Sequence, residues 1–286
     1  MAMILSGKPV AAALDEKLRE KIAWLKSKSV TPALAIVRVG ERPDDMAYER
    51  SAAKRCEAIG IIVRRFGLPA DAPSNDLPEV ISSISGDEAI HGCLLFRPFP
   101  KHMDENAARG ALLPAKDIDG ITDGSLAGVF AGIDAGFAPC TPEACMEILA
   151  FYGIDPSGKR AVVVGRSLVA GKPAAMMLIQ RNATVTVCHT KTADMPAICR
   201  EADILVVAAG RAAMIGKEHV RPGQVVIDVG INVDGEGKIR GDVNFGEAEP
   251  VVGAITPVPG GVGAVTTSVL AKHVVESASR ACGERP

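Results

Sequence analysis

The chain has 286 residues, of which 48% are hydrophobic and 23% charged, and its formal net charge is -2. This composition is typical of a globular protein rather than a disordered one, and the length allows one large or two ordinary domains. No stripe of lysine and arginine interleaves with aromatic residues, and no apolar run approaches the roughly 18 residues of a membrane span. We therefore expect neither nucleic acid nor a membrane as a partner.

The first half of the chain alternates helices and strands. Apolar spacing predicts helices over 10–25, 45–59 and 78–84, and strands over 34–39, 61–66 and 91–96. Such alternation predicts a mostly parallel sheet. The stretch 104–142 is rich in glycine, aspartate and proline with little periodicity, so it is predicted to be a long loop that carries function or links domains.

The second half of the chain is more regular. The predicted elements are a helix over 143–151, a strand over 161–164, a helix from 173, a strand over 184–188, a helix from 193, strands over 204–208 and 225–229, a rigid loop over 255–263 and a helix over 265–281. The pattern predicts two α/β domains, with the last helix returning to the first domain.

The cysteines indicate a reducing compartment. They are odd in number, widely spaced, form no C-x-x-C pair and lie mostly among apolar residues: Cys56, Cys93, Cys140, Cys145, Cys188, Cys199 and Cys282. Buried free thiols are the favoured interpretation, and no metal site is predicted. Because the N-terminus lacks a basic flank and a long apolar core, no signal peptide is identified, and the protein is expected to be cytoplasmic.

A glycine turn follows the strand 161–164. Gly165 ends the valine run, and a helix-compatible stretch begins near Gly171, which is the arrangement that binds a phosphate at a helix N-terminus. Ser167 replaces the second glycine of the usual G-x-G-x-x-G pattern, and Gly171 comes one residue late for the third. From this stretch alone, an ordinary turn between a strand and a helix is an equally good interpretation.

The end of the next strand indicates which nucleotide is bound. An acid there favours NAD, through the ribose 2′-hydroxyl, whereas basic or hydroxyl groups accommodate the 2′-phosphate of NADP. No acid stands between 187 and 192, while Arg166, Thr190 and Lys191 are available to face a phosphate. NADP is predicted, the alternative being a solvated polar loop.

Nine short segments occur in the order typical of one family. They are 39–43, 56–60, 114–120, 139–142, 164–173, 183–189, 226–232, 241–243 and 255–263. In these segments the chain resembles the bifunctional methylenetetrahydrofolate dehydrogenase/methenyltetrahydrofolate cyclohydrolases. The resemblance implies an N-terminal folate-binding domain over 1–143, to which 265–286 returns, and a Rossmann-type NADP domain over 144–264. It also implies that folate binds in the cleft between the domains and that the protein is a homodimer.

The resemblance assigns roles to individual residues. Tyr48 would stack on the folate ring system, and Asp119 would accept hydrogen bonds from the N–H groups of the pterin. The loop that would close over the substrate consists of Pro259, Gly260, Gly261, Val262 and Gly263. The residues that would contact NADP are Gly165, Arg166, Ser167, Thr190 and Ile231.

The chain departs from the family pattern at the catalytic centre. The family places a lysine four residues after the tyrosine, and this position is Ala52; its glutamine partner is replaced by Phe96, and the following leucine by Arg97. Hydride transfer demands mainly geometry, whereas cyclohydrolysis needs a group that moves protons. A dehydrogenase with weak or absent cyclohydrolase activity is therefore predicted. Arg55 or Arg97 could supply a replacement cation, although a solvated surface position is an equally good interpretation of each.

Two other functions remain open on the sequence. The changed residues could reshape the pocket for a different substrate, since Arg97 could attract an acidic group. Alternatively, the chain could be a catalytically silent folate- or nucleotide-binding partner subunit, because such a protein would lose its catalytic lysine. The intact nucleotide motifs argue against the silent subunit.

Overall fold

The structure, a computed structural model, describes residues 1–284 and divides into two compact units. The first, here called the six-stranded unit, comprises Met1–Ala12 and Pro139–Thr266. The second, the three-stranded unit, comprises Ala13–Ala138 and, among the described residues, 267–284. Two units with parallel sheets agree with the predicted fold class.

The elements are named in chain order. They are β1 (Met3–Ile4), α1 (Gly7–Ser27), β2 (Ala33–Val39), α2 (Pro43–Ile59), β3 (Ile62–Leu68), α3 (Asp76–Gly86), β4 (Gly92–Leu95), α4 (Glu105–Ala111), α5 (Asp123–Ala131), α6 (Cys140–Phe151), β5 (Arg160–Val164), α7 (Gly171–Gln180), β6 (Thr184–Cys188), α8 (Met195–Glu201), β7 (Ile204–Val207), β8 (Val225–Asp228), β9 (Asn232–Val233), β10 (Ile239–Arg240), α9 (Phe245–Ala248), β11 (Ala254–Ile255) and α10 (Val262–Ala281). The predicted strands and longer helices match these bounds to within a few residues.

The three-stranded unit is a parallel sheet in the order β3-β2-β4. β2 is almost wholly buried, as expected for a central parallel strand whose residues are apolar except for Arg38. Its side chains join those of α3 and β4 in one apolar cluster, whose fully buried members include Leu77 and Ile81. Helix α10 packs closely on β4: a Cβ added to Gly92 would lie only 3.0 Å from a methyl group of Val274.

The predicted loop over 104–142 is wrong in part, because it contains α4 and α5. Both helices are short, and neither has an apolar stripe that periodicity could detect. Each is nevertheless capped by a side chain: Asp104 accepts from Asn106 N at 2.9 Å, and Thr122 accepts from Ser125 N at 3.2 Å. These two capping residues were thus the sequence signal from which α4 and α5 could have been predicted.

The six-stranded unit is a sheet in the order β1-β11-β8-β7-β5-β6, in which all neighbours are parallel. β1 pairs with β11, with Met3 opposite Ala254. This pairing explains why Met1–Ala12 group with this unit, whereas the sequence assigned all of 1–143 to the other domain. Of the segment 265–286, the residues from Thr267 group with the three-stranded unit, and 285–286 lie outside the described residues.

The topology of this sheet creates a switch point. From β5 the chain passes through α7 to β6 on one side, then returns through α8 to β7 on the other side of β5. In open α/β sheets, ligands bind beyond the carboxyl ends of the strands at such a point. The carboxyl ends of β5 and β7 therefore mark the expected nucleotide site.

The cysteines and helices bear on two further expectations. All seven cysteines are free and six are buried, Cys282 being exposed. Burial raises the pKa of the Cys56 and Cys145 thiols to about 12, so both are neutral near pH 7. Within 1–284, no helix has the length and apolar character needed to cross a membrane.

Candidate active site

Helix α2 presents Tyr48 and Ala52 on one face, because they are four residues apart. The start of the helix is fixed by Pro43 in its first turn and by the guanidinium of Arg42, which donates to both carboxylate oxygens of Asp45 at 2.8 Å. Tyr48 is 39% exposed, whereas Ala52 is 1% exposed. The helix therefore offers an accessible aromatic ring and, one turn later, a buried methyl group where the resemblance places a lysine.

Phe96 directly follows β4 and packs against Tyr48. The ring centroids are 5.7 Å apart and the planes meet at 80°, which is an edge-to-face contact. Phe96 itself is buried. Two predicted site residues from separate elements are thus brought together. Neither Phe96 nor Ala52 carries a group that can donate or accept a proton.

The two arginines proposed as replacement cations each pair with a carboxylate. Arg55 Nη1 donates to Asp15 Oδ2 at 2.6 Å and to Ser268 Oγ at 3.0 Å. Arg97 Nη1 donates to Glu105 Oε1 at 3.0 Å, and its side chain is 26% exposed. The contacts of Arg55 link α2 to α1 and α10. The contact of Arg97 links the residues after β4 to the start of α4. Each guanidinium is therefore paired with a carboxylate, which favours neither a free replacement cation nor a fully solvated surface position.

Asp119 lies half-buried in a loop that a second aspartate organises. Asp117 is fully buried, and its two carboxylate oxygens accept from Ile121 N at 3.0 Å and from Thr122 N at 2.7 Å. The loop is therefore closed beneath Asp119 by two charge-assisted hydrogen bonds. The role of Asp117 was missed on the sequence, where the D-x-D spacing was the available signal.

Replacing Asp117 by alanine should lower the free energy of unfolding by about 3 kcal/mol or more. Two backbone N–H groups lose a charged acceptor in a buried loop, and each such bond contributes about 1.5–3 kcal/mol at most. Urea unfolding of the Asp117→Ala protein measures this loss. The exposed Asp71→Ala is the matched control, and equal stability of the two variants would contradict the loop-closing role.

The glycine turn after β5 has no room for side chains at two positions. At Gly165 φ is +123°, and an added Cβ would lie 2.1 Å from the carbonyl oxygen of Ala208. A Cβ on Gly171, the first residue of α7, would lie 2.2 Å from the oxygen of Gly165. Ser167, which replaces the second glycine of the usual pattern, accepts from Ala170 N at 3.1 Å. The turn is thus compact and leads directly into a helix N-terminus.

The polar residues predicted to face a nucleotide phosphate are accessible. Arg166, Thr190 and Lys191 are all exposed. The turn after β6 is held by His189, whose N–H donates to Thr192 Oγ1 at 2.8 Å and whose Nδ1 accepts from Lys191 N at 3.1 Å. The structure therefore leaves the basic and hydroxyl side chains of this turn available to a phosphate.

The remaining predicted residues also lie in the six-stranded unit. Ile231 is 66% exposed. The predicted loop over 255–263 ends earlier than expected, because α10 begins at Val262 and therefore includes Gly263. The oxygen of Gly260 accepts from Gly7 N at 2.8 Å, a contact with the start of α1 that the sequence did not indicate. Pro259 and Gly260 are exposed, while Gly261 and Val262 are buried.

Comparison with known proteins gives the family. Residues 5–119 match the catalytic domain of tetrahydrofolate dehydrogenase/cyclohydrolase, and residues 139–282 match its NAD(P)-binding domain. The "Bifunctional protein FolD" of Carboxydothermus hydrogenoformans is 53% identical over 97% of both chains.

Solved structures agree with this match. The bifunctional FolD methylenetetrahydrofolate dehydrogenase/cyclohydrolase of Campylobacter jejuni has a TM-score of 0.95 at 39% identity, covering 98% of this chain and 99% of its own. The Trypanosoma brucei enzyme, complexed with NADP cofactor and inhibitor, has a TM-score of 0.91 at 34% identity, covering 99% of both chains. The predicted oxidoreductase class and fold are confirmed, and NADP as the cofactor is supported. The chain belongs to the tetrahydrofolate dehydrogenase/cyclohydrolase family.

Proposed function

We propose that this chain oxidises 5,10-methylenetetrahydrofolate to 5,10-methenyltetrahydrofolate by transferring a hydride to NADP, and that its cyclohydrolase activity is weak or absent. The observation that supports the first part most strongly is the compact glycine turn at the switch point between β5 and β7. Family membership gives the reaction class, and the exposed Arg166 and Lys191 support NADP over NAD.

The residues of the turn fit a dinucleotide. The missing Cβ atoms of Gly165 and Gly171 leave the backbone close-packed, so the N-terminus of α7 can approach a phosphate directly. NADP, when bound, supplies the hydride acceptor. The protein must then hold the donor carbon in place, because the reaction depends mainly on proximity and orientation.

The substrate side of the reaction is assigned to Tyr48 and Asp119. The accessible ring of Tyr48, braced edge-on by Phe96, offers a surface on which a pterin can stack. The half-buried carboxylate of Asp119 accepts N–H donors, and the buried Asp117 holds its loop. Both roles require binding groups only, and neither requires a base.

Cyclohydrolysis makes a different demand on the site. Water adds to the methenyl carbon, and protons must move to and from the folate nitrogens, a step for which a placed acid or base contributes roughly 10²–10⁴-fold. Ala52 and Phe96 contribute no such group, and Arg55 and Arg97 are engaged with carboxylates. The bifunctional names of the relatives argue for full cyclohydrolase activity. The four residues Ala52, Phe96, Arg55 and Arg97 argue that this activity is weak or lost.

An absorbance assay with methylenetetrahydrofolate tests both parts. With NADP we expect reduced nicotinamide to form and methenyltetrahydrofolate to accumulate, with slower turnover on NAD because no 2′-phosphate meets the basic turn. Hydrolysis of methenyltetrahydrofolate as fast as its formation would overturn the second part.

The same assay separates the alternative functions. Folate binding without reduction of either cofactor would favour a silent partner subunit, the function that Ala52 and Phe96 would otherwise suit. Absence of folate binding despite NADP binding would favour an altered substrate, for which Arg97 supplies a cation.

We also propose a cytoplasmic homodimer, since the family resemblance implies a dimer and the free cysteines suit a reducing compartment. Light scattering of the purified protein should give twice the chain mass. A mass equal to that of one chain at micromolar concentration would contradict the dimer.

A further inference from the structure

Two aspartates of the six-stranded unit are buried beside the expected nucleotide site. Asp228 is the last residue of β8 and is 4% exposed, and Asp242 follows β10 and is fully buried. Carboxylates are seldom this buried unless hydrogen bonds compensate them. Neither aspartate was among the predicted site residues.

Asp242 fastens the loop that follows β7. Its carboxylate accepts from three consecutive backbone N–H groups, those of Ala209 at 2.6 Å, Gly210 at 2.8 Å and Arg211 at 2.9 Å. It also accepts from the side chain of Asn232 at 2.9 Å. One buried charge thus ties the loop after β7 to the start of β9.

Asp228 fastens the loop that follows its own strand. Its carboxylate accepts from Gly230 N at 2.9 Å, Asp242 N at 3.0 Å and Val243 N at 3.0 Å. The contact is close, because a Cβ on Gly241 would lie 1.9 Å from Asp228 Oδ2. The two carboxylates therefore form one network through the backbone of Asp242.

The two sequence neighbours of Ile231 both belong to this hydrogen-bond network. Gly230, directly before it, donates to Asp228, and Asn232, directly after it, donates to Asp242. Ile231 itself is 66% exposed beyond the carboxyl end of β8. The loop after β7 begins next to Ala208, whose oxygen abuts Gly165 of the glycine turn.

We propose that Asp228 and Asp242 are positioning residues that together hold the loops after β7 and β8, and with them Ile231, in the conformation that receives the dinucleotide. This inference rests on the proposed function for the existence of the cofactor site. The two carboxylates act through the backbone they bind and need not touch the cofactor.

The pair also makes this conformation dependent on pH. Burial raises the pKa of Asp228 to about 6, the adjacent charge of Asp242 adds to the rise, and the three N–H donors oppose it. As pH falls through about 6, the folded protein takes up a proton on Asp228. A protonated carboxyl loses an acceptor position, so one of the three N–H groups loses its partner.

Steady-state kinetics between pH 5 and 8 test this role. For the wild type, the KM for NADP should rise about tenfold as pH falls to 5, because one hydrogen bond to a charged acceptor is lost. Asp228→Asn should show a raised KM throughout and a much flatter profile, with kcat changed less than KM. Glu236→Gln removes the same charge from an exposed position between β9 and β10 and should behave as wild type.

The 2′-phosphate of NADP has its own pKa near 6, so the comparison between wild type and variant decides the result. Identical pH profiles of wild type and Asp228→Asn would overturn the proposal.

A second measurement needs neither cofactor nor activity. In the ligand-free wild type, the amide resonances of Gly230 and Val243 should titrate together near pH 6; their invariance from pH 5 to 7.5 would also overturn the proposal. An inactive enzyme with titrating amides would instead count against the proposed function.

Discussion

Replacing Ala52 by lysine together with Phe96 by glutamine should raise the hydrolysis of methenyltetrahydrofolate by roughly 10²–10⁴-fold, the contribution of a positioned acid or base. Position 52 lies one helical turn from Tyr48 and is 1% exposed. A lysine there would be partly desolvated, which lowers its pKa toward neutrality and lets it exchange protons near pH 7. The loss of methenyl absorbance under otherwise identical conditions measures the gain.

The double variant loses the buried ring of Phe96 and places a lysine at a buried position. The edge-to-face contact between Tyr48 and Phe96 contributes about 0.5–1.5 kcal/mol beyond its buried area. Dehydrogenase activity should persist, because hydride transfer depends on holding the substrate in place rather than on these two side chains, and it serves as the check that the variant is folded. Ala58→Lys adds the same charge at an exposed position of α2 and should leave hydrolysis unchanged. A folded, dehydrogenase-active double variant without faster hydrolysis would show that positions 52 and 96 do not limit the second reaction.

Periodicity and glycine placement predicted the elements that carry the chemistry, because these elements are long or strongly apolar. β2, β5, β7 and β8 are mostly buried parallel strands, and α2 is ended by Gly60 with φ +102°. The two short helices α4 and α5 were missed, since a helix of seven or nine residues without an apolar stripe leaves no periodic signal. β1 has two residues and is defined only by its pairing with β11.

The parts of the candidate site that depend on a short local motif could be predicted from the sequence. The contacts between residues that are distant in the chain could not. The glycine turn is local, so Gly165 and Gly171 could be identified directly. The contact between Tyr48 and Phe96 joins a helix to the end of a strand, and the engagement of Arg55 by Asp15 and Ser268 joins three helices. Such pairings depend on tertiary packing, which single-residue chemistry does not encode.

Replacing Gly165 by alanine should lower the free energy of unfolding by about 3 kcal/mol or more and raise the KM for NADP at least about tenfold. At φ +123° an L-residue is strained by about 1–3 kcal/mol. In addition, a methyl group cannot lie 2.1 Å from the oxygen of Ala208, so the turn or β7 must shift. The shift displaces the N-terminus of α7, where the phosphates would bind.

Gly153→Ala separates the two causes. Gly153, in the turn between α6 and β5, also has a positive φ, +67°, but no atom lies within 4 Å of its added Cβ. This control should therefore show only the conformational cost, about 1–2 kcal/mol, when urea unfolding of both variants is extrapolated to water. Equal losses in the two variants would mean that the close approach of β5 and β7 is not what fixes the turn. Both variants place a side chain at a positive φ, but only the alanine at position 165 meets a neighbouring strand. A larger loss of stability in Gly165→Ala, accompanied by the rise in KM, would therefore tie cofactor binding to the steric fit at the switch point.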